Sequence, residues 1–306
     1  MLKRGPESMR SPFARALLYN MRPVFVMYGL VRRKPVFLAE KPWMEAAERG
    51  LHGEVTVNVK LTDLSLKIGG LLQRADEMIA ASKTKKKKKK KPVELDIVEL
   101  LTELSVLQNG IQEWLMNFYR LTQAESSPYR LSSISNYPFF RAGCGGLVHV
   151  FPSVIEFPAF LSATTHVWVW TCLLVLRQAI MDVAALHPYS VVHPRNQEAV
   201  LRARVDECAV NLCQSIGYLI NPDHASCDIV ACSPVLYFAI SWFERQGHTQ
   251  RLIWARHVRE FLQRDVLLGG GYDTSIDISR PIFVWYFLPE IAVDDAVIFN
   301  DSSKDH

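Results

Sequence analysis

What this chain lacks first is a run of closely spaced cysteines. Its six cysteines, at 144, 172, 208, 213, 227 and 232, are spread over 306 residues. Only Cys208, Cys213, Cys227 and Cys232 form a regular pattern, C-x4-C-x13-C-x4-C. Residues five apart on an α-helix are rotated by about 140°, so Cys208 and Cys213 point to different faces of the helix expected there. Zinc knuckles instead draw paired ligands from tight turns. The cysteines read as reduced core thiols of an intracellular protein, and an extracellular disulfide scaffold is excluded. Glycine at 15 and proline at 16 are ordinary, which excludes collagen-like and low-complexity chains. No internal repeat excludes a solenoid. No strand–helix alternation excludes a doubly wound sheet with its ligand crevice.

Catalytic constellations are missing in the same way. Arg141 to Gly146 reads RAGCGG, and Cys144 between glycines resembles a loop nucleophile, with His149 near in sequence. A thiol nucleophile also needs a base in reach and an oxyanion hole, and no such signature surrounds it. His187 and His193 flank Pro188 and Pro194 in an irregular stretch, unlike a metal pair on one helical face. Gly269, Gly270 and Gly271 follow a helix, whereas phosphate loops precede one. The acidic candidates Asp182, Asp206 and Glu207 are not spaced as metal ligands on one helical turn. No catalytic, metal or cofactor residue is therefore assigned, and the chain is not expected to be an enzyme. The alternative is a helical enzyme of secondary metabolism, whose mark would be convergent carboxylates in an apolar cavity.

What is present is apolar mass and one block of charge. At 49% hydrophobic the chain is long enough to bury a large core. The net charge is +4, but Lys83 with Lys85 through Lys91 supplies eight positive charges, so the remainder is mildly acidic and offers no broad face for nucleic acid. Lys85, Lys86, Lys87, Lys88, Lys89, Lys90 and Lys91 read as a solvated loop between helices, and also as a nuclear-import signal or a contact for an acidic partner. Phe157 through Leu176 carries no formal charge over twenty residues, about the length that spans a bilayer. Pro158, Ser162, Thr164, Thr165, His166 and Thr171 interrupt it, and a helix buried on all sides fits better.

Helical periodicity dominates. From Leu61 the stripe runs Leu64, Ile68, Leu71, Leu72, Ala75 and Met78. Gly69 and Gly70 each cost about 1 kcal/mol inside that helix, which predicts a kink or a close helix contact. After Pro92, Ile97, Leu101, Leu104, Ile111, Leu115 and Phe118 mark the longest helix, with Glu94 and Asp96 in its first turn and Arg120 near its end. Ala124 to Pro138 reads as a loop. Leu201 to Leu219 is a third helix stopped by Asn221-Pro222. Ser233-Pro234 reads as the cap and first position of a fourth, and a fifth carries Leu252, Trp254, Phe261, Leu262 and Val266. Glu54 to Val59 and Ile282 to Tyr286 have short β character. The fold class is all-α, an irregular bundle of amphipathic helices around one buried helix with few or no strands. Its parts are an N-terminal helical part over 1–82, the lysine loop at 83–92, the main helical domain over 93–300 and a polar tail over 301–306.

The order of short motifs carries a resemblance. Arg22-Pro23 is followed by Arg33-Lys34-Pro35-Val36-Phe37-Leu38 and then Trp43. Downstream come LLQRAD ending at Asp76, D-E-C-A-x-x-x-C-Q-S-I-x-Y from Asp206 to Tyr218, and Ser233 to Phe243, similar to P-L-x-x-A-x-x-x-F. Together these resemble the regulatory domain of fungal zinc-cluster transcription factors. The resemblance implies an all-helical, non-catalytic nuclear domain, with the cytoplasm as the alternative place. It implies action through protein contacts, as a homodimer or with another transcription regulator; the polar interruptions of the uncharged run and the lack of a basic helix leave neither a membrane nor sequence-specific DNA as an expected partner. The six-cysteine cluster of that family is absent, and the chain is expected to begin partway into the helical domain. Missing helices would bare an apolar face, for which Phe25, Val26, Tyr28, Leu30 and Val31 are the candidates. A truncated relative without activity of its own is the remaining reading.

Overall fold

A computed structural model describes residues 5–8, 11–48, 55–83, 94–121, 128–186, 195–221 and 229–267. The protein is all-α. Nine helices run through the described residues: α1 (Pro12–Arg32), α2 (Lys41–Glu48), α3 (Val55–Lys83), α4 (Glu94–Leu121), α5 (Pro138–Cys144), α6 (Phe160–Ala184), α7 (Arg195–Leu219), α8 (Ile229–Gln246) and α9 (Thr249–Phe261). A π-helical turn, Leu262–Leu267, continues α9. The strands β1 (Arg130–Ser133) and β2 (Ser153–Glu156) form one antiparallel pair, with Leu131 opposite Ile155.

The uncharged run forms α6, and its burial explains its composition. Between Val167 and Val183 every residue is buried except Trp168, Gln178 and Asp182. Helix α6 packs against α3, α4, α7 and α8. It is the one described helix apolar and long enough to cross a membrane, yet 78% of its most apolar window is buried inside the protein. Such a helix is the core of a bundle, since its apolar surface is already removed from water by other helices. The core runs continuously from Ala14 on α1 to Leu262 after α9.

Helices α1 and α3 cross at glycine, as the Gly69-Gly70 pair predicts. A Cβ on Gly69 would lie 2.2 Å from the Lys34 carbonyl oxygen and 3.0 Å from that of Gly29. Pro35 covers Gly70, with its Cβ 3.6 Å from where a side chain would begin. The absence of side chains there lets two backbones touch.

Several expectations change. Helices α1 and α2 precede the first helix legible from periodicity, α1 running through Pro23. Val55 to Val59 is the first turn of α3 rather than β structure. Helix α3, with 29 residues, is one longer than α4. The segment after α4 is only partly loop, since Arg130–Ser133 is β1. Helix α8 starts at Ile229, so Ser233-Pro234 lies inside it, where proline removes a single ladder bond. The expected bare face is mostly covered: Val26 and Leu30 are buried and Phe25 and Val31 partly so, because α1 lays this side on the core, and only Tyr28 is exposed. Lys85 through Lys91, His187, His193, Cys227, the glycines at 269–271, Ile282 to Tyr286 and the tail lie outside the described residues.

Candidate functional site

Asp206 gathers partners from two other helices. It lies on α7, and helical spacing puts Glu198, Arg202 and Asp206 on one side at steps of four. Its carboxylate accepts from Trp242 Nε1 on α8 at 3.2 Å and from Arg251 on α9 at 2.7 and 2.9 Å. His248 Nδ1 stands 3.3 Å from it. The Arg251 guanidinium also lies 5.8 Å over the Phe243 ring. One carboxylate thus ties α7, α8 and α9 together.

Beside this junction is an open groove of about 520 Å³, lined by Ala199, Arg202, Trp242, Gln246 and His248 among others. Arg202 bridges it, donating to Glu198 at 2.8 Å and to Gln246 Oε1 at 3.0 Å. A second groove of about 510 Å³ runs along β1, where Arg130 donates to Glu156 at 2.8 Å and Asn136 to Ser132 at 2.9 Å. Burial, reinforced by Glu156, pushes the Tyr137 hydroxyl in this groove up to about 12.

Among the described residues, those considered for chemistry come from different elements, and several already have partners. Cys144 is fully buried, and burial pushes its thiol up to about 12, a shift that the neighbouring Trp254 only partly offsets. His149 is exposed, with Nδ1 3.2 Å from the Gly146 carbonyl oxygen. Asp182 pairs with Arg245 of α8, Asp206 with Arg251, and Glu207 is exposed. Of the three, only Asp206 lines the groove beside the α7–α9 junction. Among the described residues no group of three or more His, Cys, Asp or Glu side chains could hold a metal ion.

Burial raises the other described thiols in the same way. Cys172 is pushed up to about 12 and Cys208 to about 11, the latter although the Arg177 guanidinium donates to its sulfur at 3.2 Å. Cys213 is raised further by burial. Since the thiolate is the nucleophile, Cys144, Cys172, Cys208 and Cys213 are expected to resist alkylation in the native protein while a cysteine peptide reacts fully. Mass spectrometry after iodoacetamide treatment checks this, and rapid native labelling of any of the four would contradict their placement.

In the first half, the motif residues meet one another. Arg22 is 1% exposed and pairs with Asp63 of α3. Arg33, the αL residue that ends α1, holds Asp76 of the LLQRAD motif with two bonds of 2.7 and 2.8 Å. Phe37 packs edge-on against both Phe25 and Trp43. Neither Asp63 nor Arg251 had a sequence signal, because their partners lie 41 and 45 positions away. Compared with protein families, curated proteins and solved structures, the chain matches none.

Proposed function

We propose that this protein is a helical regulatory module of transcription that acts through protein contacts and not by catalysis or by reading DNA itself. The resemblance of its motifs motivates the reading, and the mutual packing of Arg22, Arg33, Asp76 and Trp43 segments supports a shared architectural role for them. The observation that carries the contact role is on α1. Phe13 is 70% exposed, Leu17 42% and Tyr28 40%. Helical rotation puts the three within about 60° of one another, on the side of α1 turned from the core. Scattered apolar residues are ordinary on a surface, but the neighbouring pair Phe13 and Leu17, with Tyr28 farther along the same side, suits a partner. A second copy of the chain or another regulator is the partner proposed.

The test is a tethered reporter. The whole chain is fused to an unrelated DNA-binding domain in fungal cells, alongside Phe13→Glu/Leu17→Glu and a deletion of Lys85 to Lys91. The intact fusion is expected to change reporter output. The double variant is expected to weaken the contact roughly thirtyfold or more, as loss of a central anchor does, and to lower output accordingly. The lysine deletion is expected to lower nuclear accumulation without altering that side of α1. A nuclear, expressed, intact fusion with no effect on the reporter would overturn the regulatory reading.

A further inference from the structure

His166 is the one histidine among the described residues that is fully buried. Both of its ring nitrogens are committed. Nδ1 stands 2.6 Å from the Ser162 carbonyl oxygen, so it carries the proton and donates. Nε2 is then the lone-pair side and accepts from the Tyr119 hydroxyl at 2.8 Å. Four aromatic rings surround the imidazole, with centroids 5.3 to 5.7 Å away: Tyr119, Tyr129, Phe157 and Trp170. These come from different places in the chain. Tyr119 belongs to the last turn of α4, Tyr129 precedes β1, Phe157 follows β2, and Trp170 lies one turn further along α6.

We propose that this imidazole is an acid-sensitive latch: while neutral it fastens the end of α4 and the segment entering β1 to α6, and protonation releases them. A proton on Nε2 turns its acceptor into a donor, so the Tyr119 hydroxyl must turn round to accept from it, and its own proton loses this partner. The new charge also sits where no water reaches. Among the described residues the groups facing it offer no counter-charge. Tyr119 comes from α4 and the Ser162 hydroxyl, 3.4 Å from Nδ1, from α6 itself. On α7, Glu207 and Cys208 act on Tyr129 instead, and Tyr218 packs against Phe157. Burial accordingly holds His166 below the usual histidine range, with the Ser162 carbonyl opposing. A histidine lowered on folding contributes its full stability above about pH 6.5, the unfolded value. That contribution is lost as pH falls toward the folded value.

Two readouts on the intact chain test the latch. NMR follows the His166 ring, assigned with His166→Gln, and hydrogen exchange follows residues 115–121 and 129–134 between pH 7.5 and 5.0, corrected for intrinsic exchange. Opening of these segments is expected to rise up to tenfold per pH unit below about pH 6.5, the one-proton linkage limit. In His166→Gln the slope should flatten. Tyr119→Phe keeps the ring and removes the hydroxyl, and should loosen the same segments already at pH 7.5, which keeps the test decisive if the histidine variant does not fold. Equal slopes in wild type and His166→Gln would overturn the proposal. So would a His166 that titrates at or above the usual value while the segments stay protected, because the rings would then be holding an imidazolium by cation–π attraction.

Discussion

Gly69→Ala is expected to destabilise the protein by about 3 kcal/mol, the upper part of the range for overpacking. On helix propensity alone the sign would be opposite, since alanine is better than glycine inside a helix by about 1 kcal/mol. The difference is what the new methyl group meets. Its carbon would lie 2.2 Å from the Lys34 carbonyl oxygen and within 3.1 Å of the Gly29 backbone, and neither can swing aside as a side-chain tip could. The α1–α3 crossing must open, which also pulls on Arg33 where it holds Asp76. Gly110 on α4 is the control, because a methyl there would touch only the Leu64 side chain, at 3.5 Å. Gly110→Ala should therefore be neutral or stabilising by up to about 1 kcal/mol. Urea unfolding of the pair decides, and equal stability of the two variants would mean that α1 and α3 do not cross at these glycines.

The sequence and the structure agree where periodicity and burial act together. The stripes of α3, α4 and α7 bury Ile68, Leu72, Leu104, Ile111, Val205 and Leu212, the very positions that recur at steps of three and four. The uncharged run could be recognised as a core helix because polar interruptions are affordable only when a protein surrounds them. Thr171, for example, donates to the Val167 carbonyl one turn earlier at 2.8 Å, and Trp168 Nε1 donates to Ser65 of α3. The Ser-Pro signature shows where local reading fails. At Ser11-Pro12 it is a true start, with Ser11 Oγ accepting from the Ala14 amide at 3.1 Å. At Ser233-Pro234 the same pair lies inside α8, since tertiary packing overrides a single lost hydrogen bond. Helix α1 likewise runs on through Pro23.

The polar junctions were less legible than the core. Asp206 belonged to a recognisable motif, yet its role depends on Trp242, His248 and Arg251, which reach it only when α7, α8 and α9 are packed. His166 stood inside an apolar run, and a buried histidine there is bland until Tyr119 and Tyr129 arrive from other elements. Side chains that act by long-range contact leave no spacing to find.

The ion pair between Arg22 and Asp63 carries the second large effect. Arg22 is 1% and Asp63 15% exposed, so removing the arginine strands a carboxylate that water reaches poorly. Arg22→Met is expected to cost about 3 to 5 kcal/mol, the usual penalty for breaking a buried pair from one side. Most of that is not the worth of the pair itself. The two charges were also desolvated to meet, so Arg22→Met/Asp63→Leu should recover much of the loss, and the double-mutant cycle measures the coupling. The pH dependence separates this account from simple loss of packing. With the arginine gone, a carboxylate in this position is expected to titrate above its unfolded value near 3.9, because burial disfavours the charged form. A group raised on folding contributes stability below that unfolded value and loses it as pH rises through the folded one. The deficit of Arg22→Met relative to wild type should therefore be smaller near pH 4 than at pH 7, by denaturant unfolding at each pH. A deficit independent of pH would assign Arg22 to packing of its alkyl chain between α1 and α3 and not to its charge.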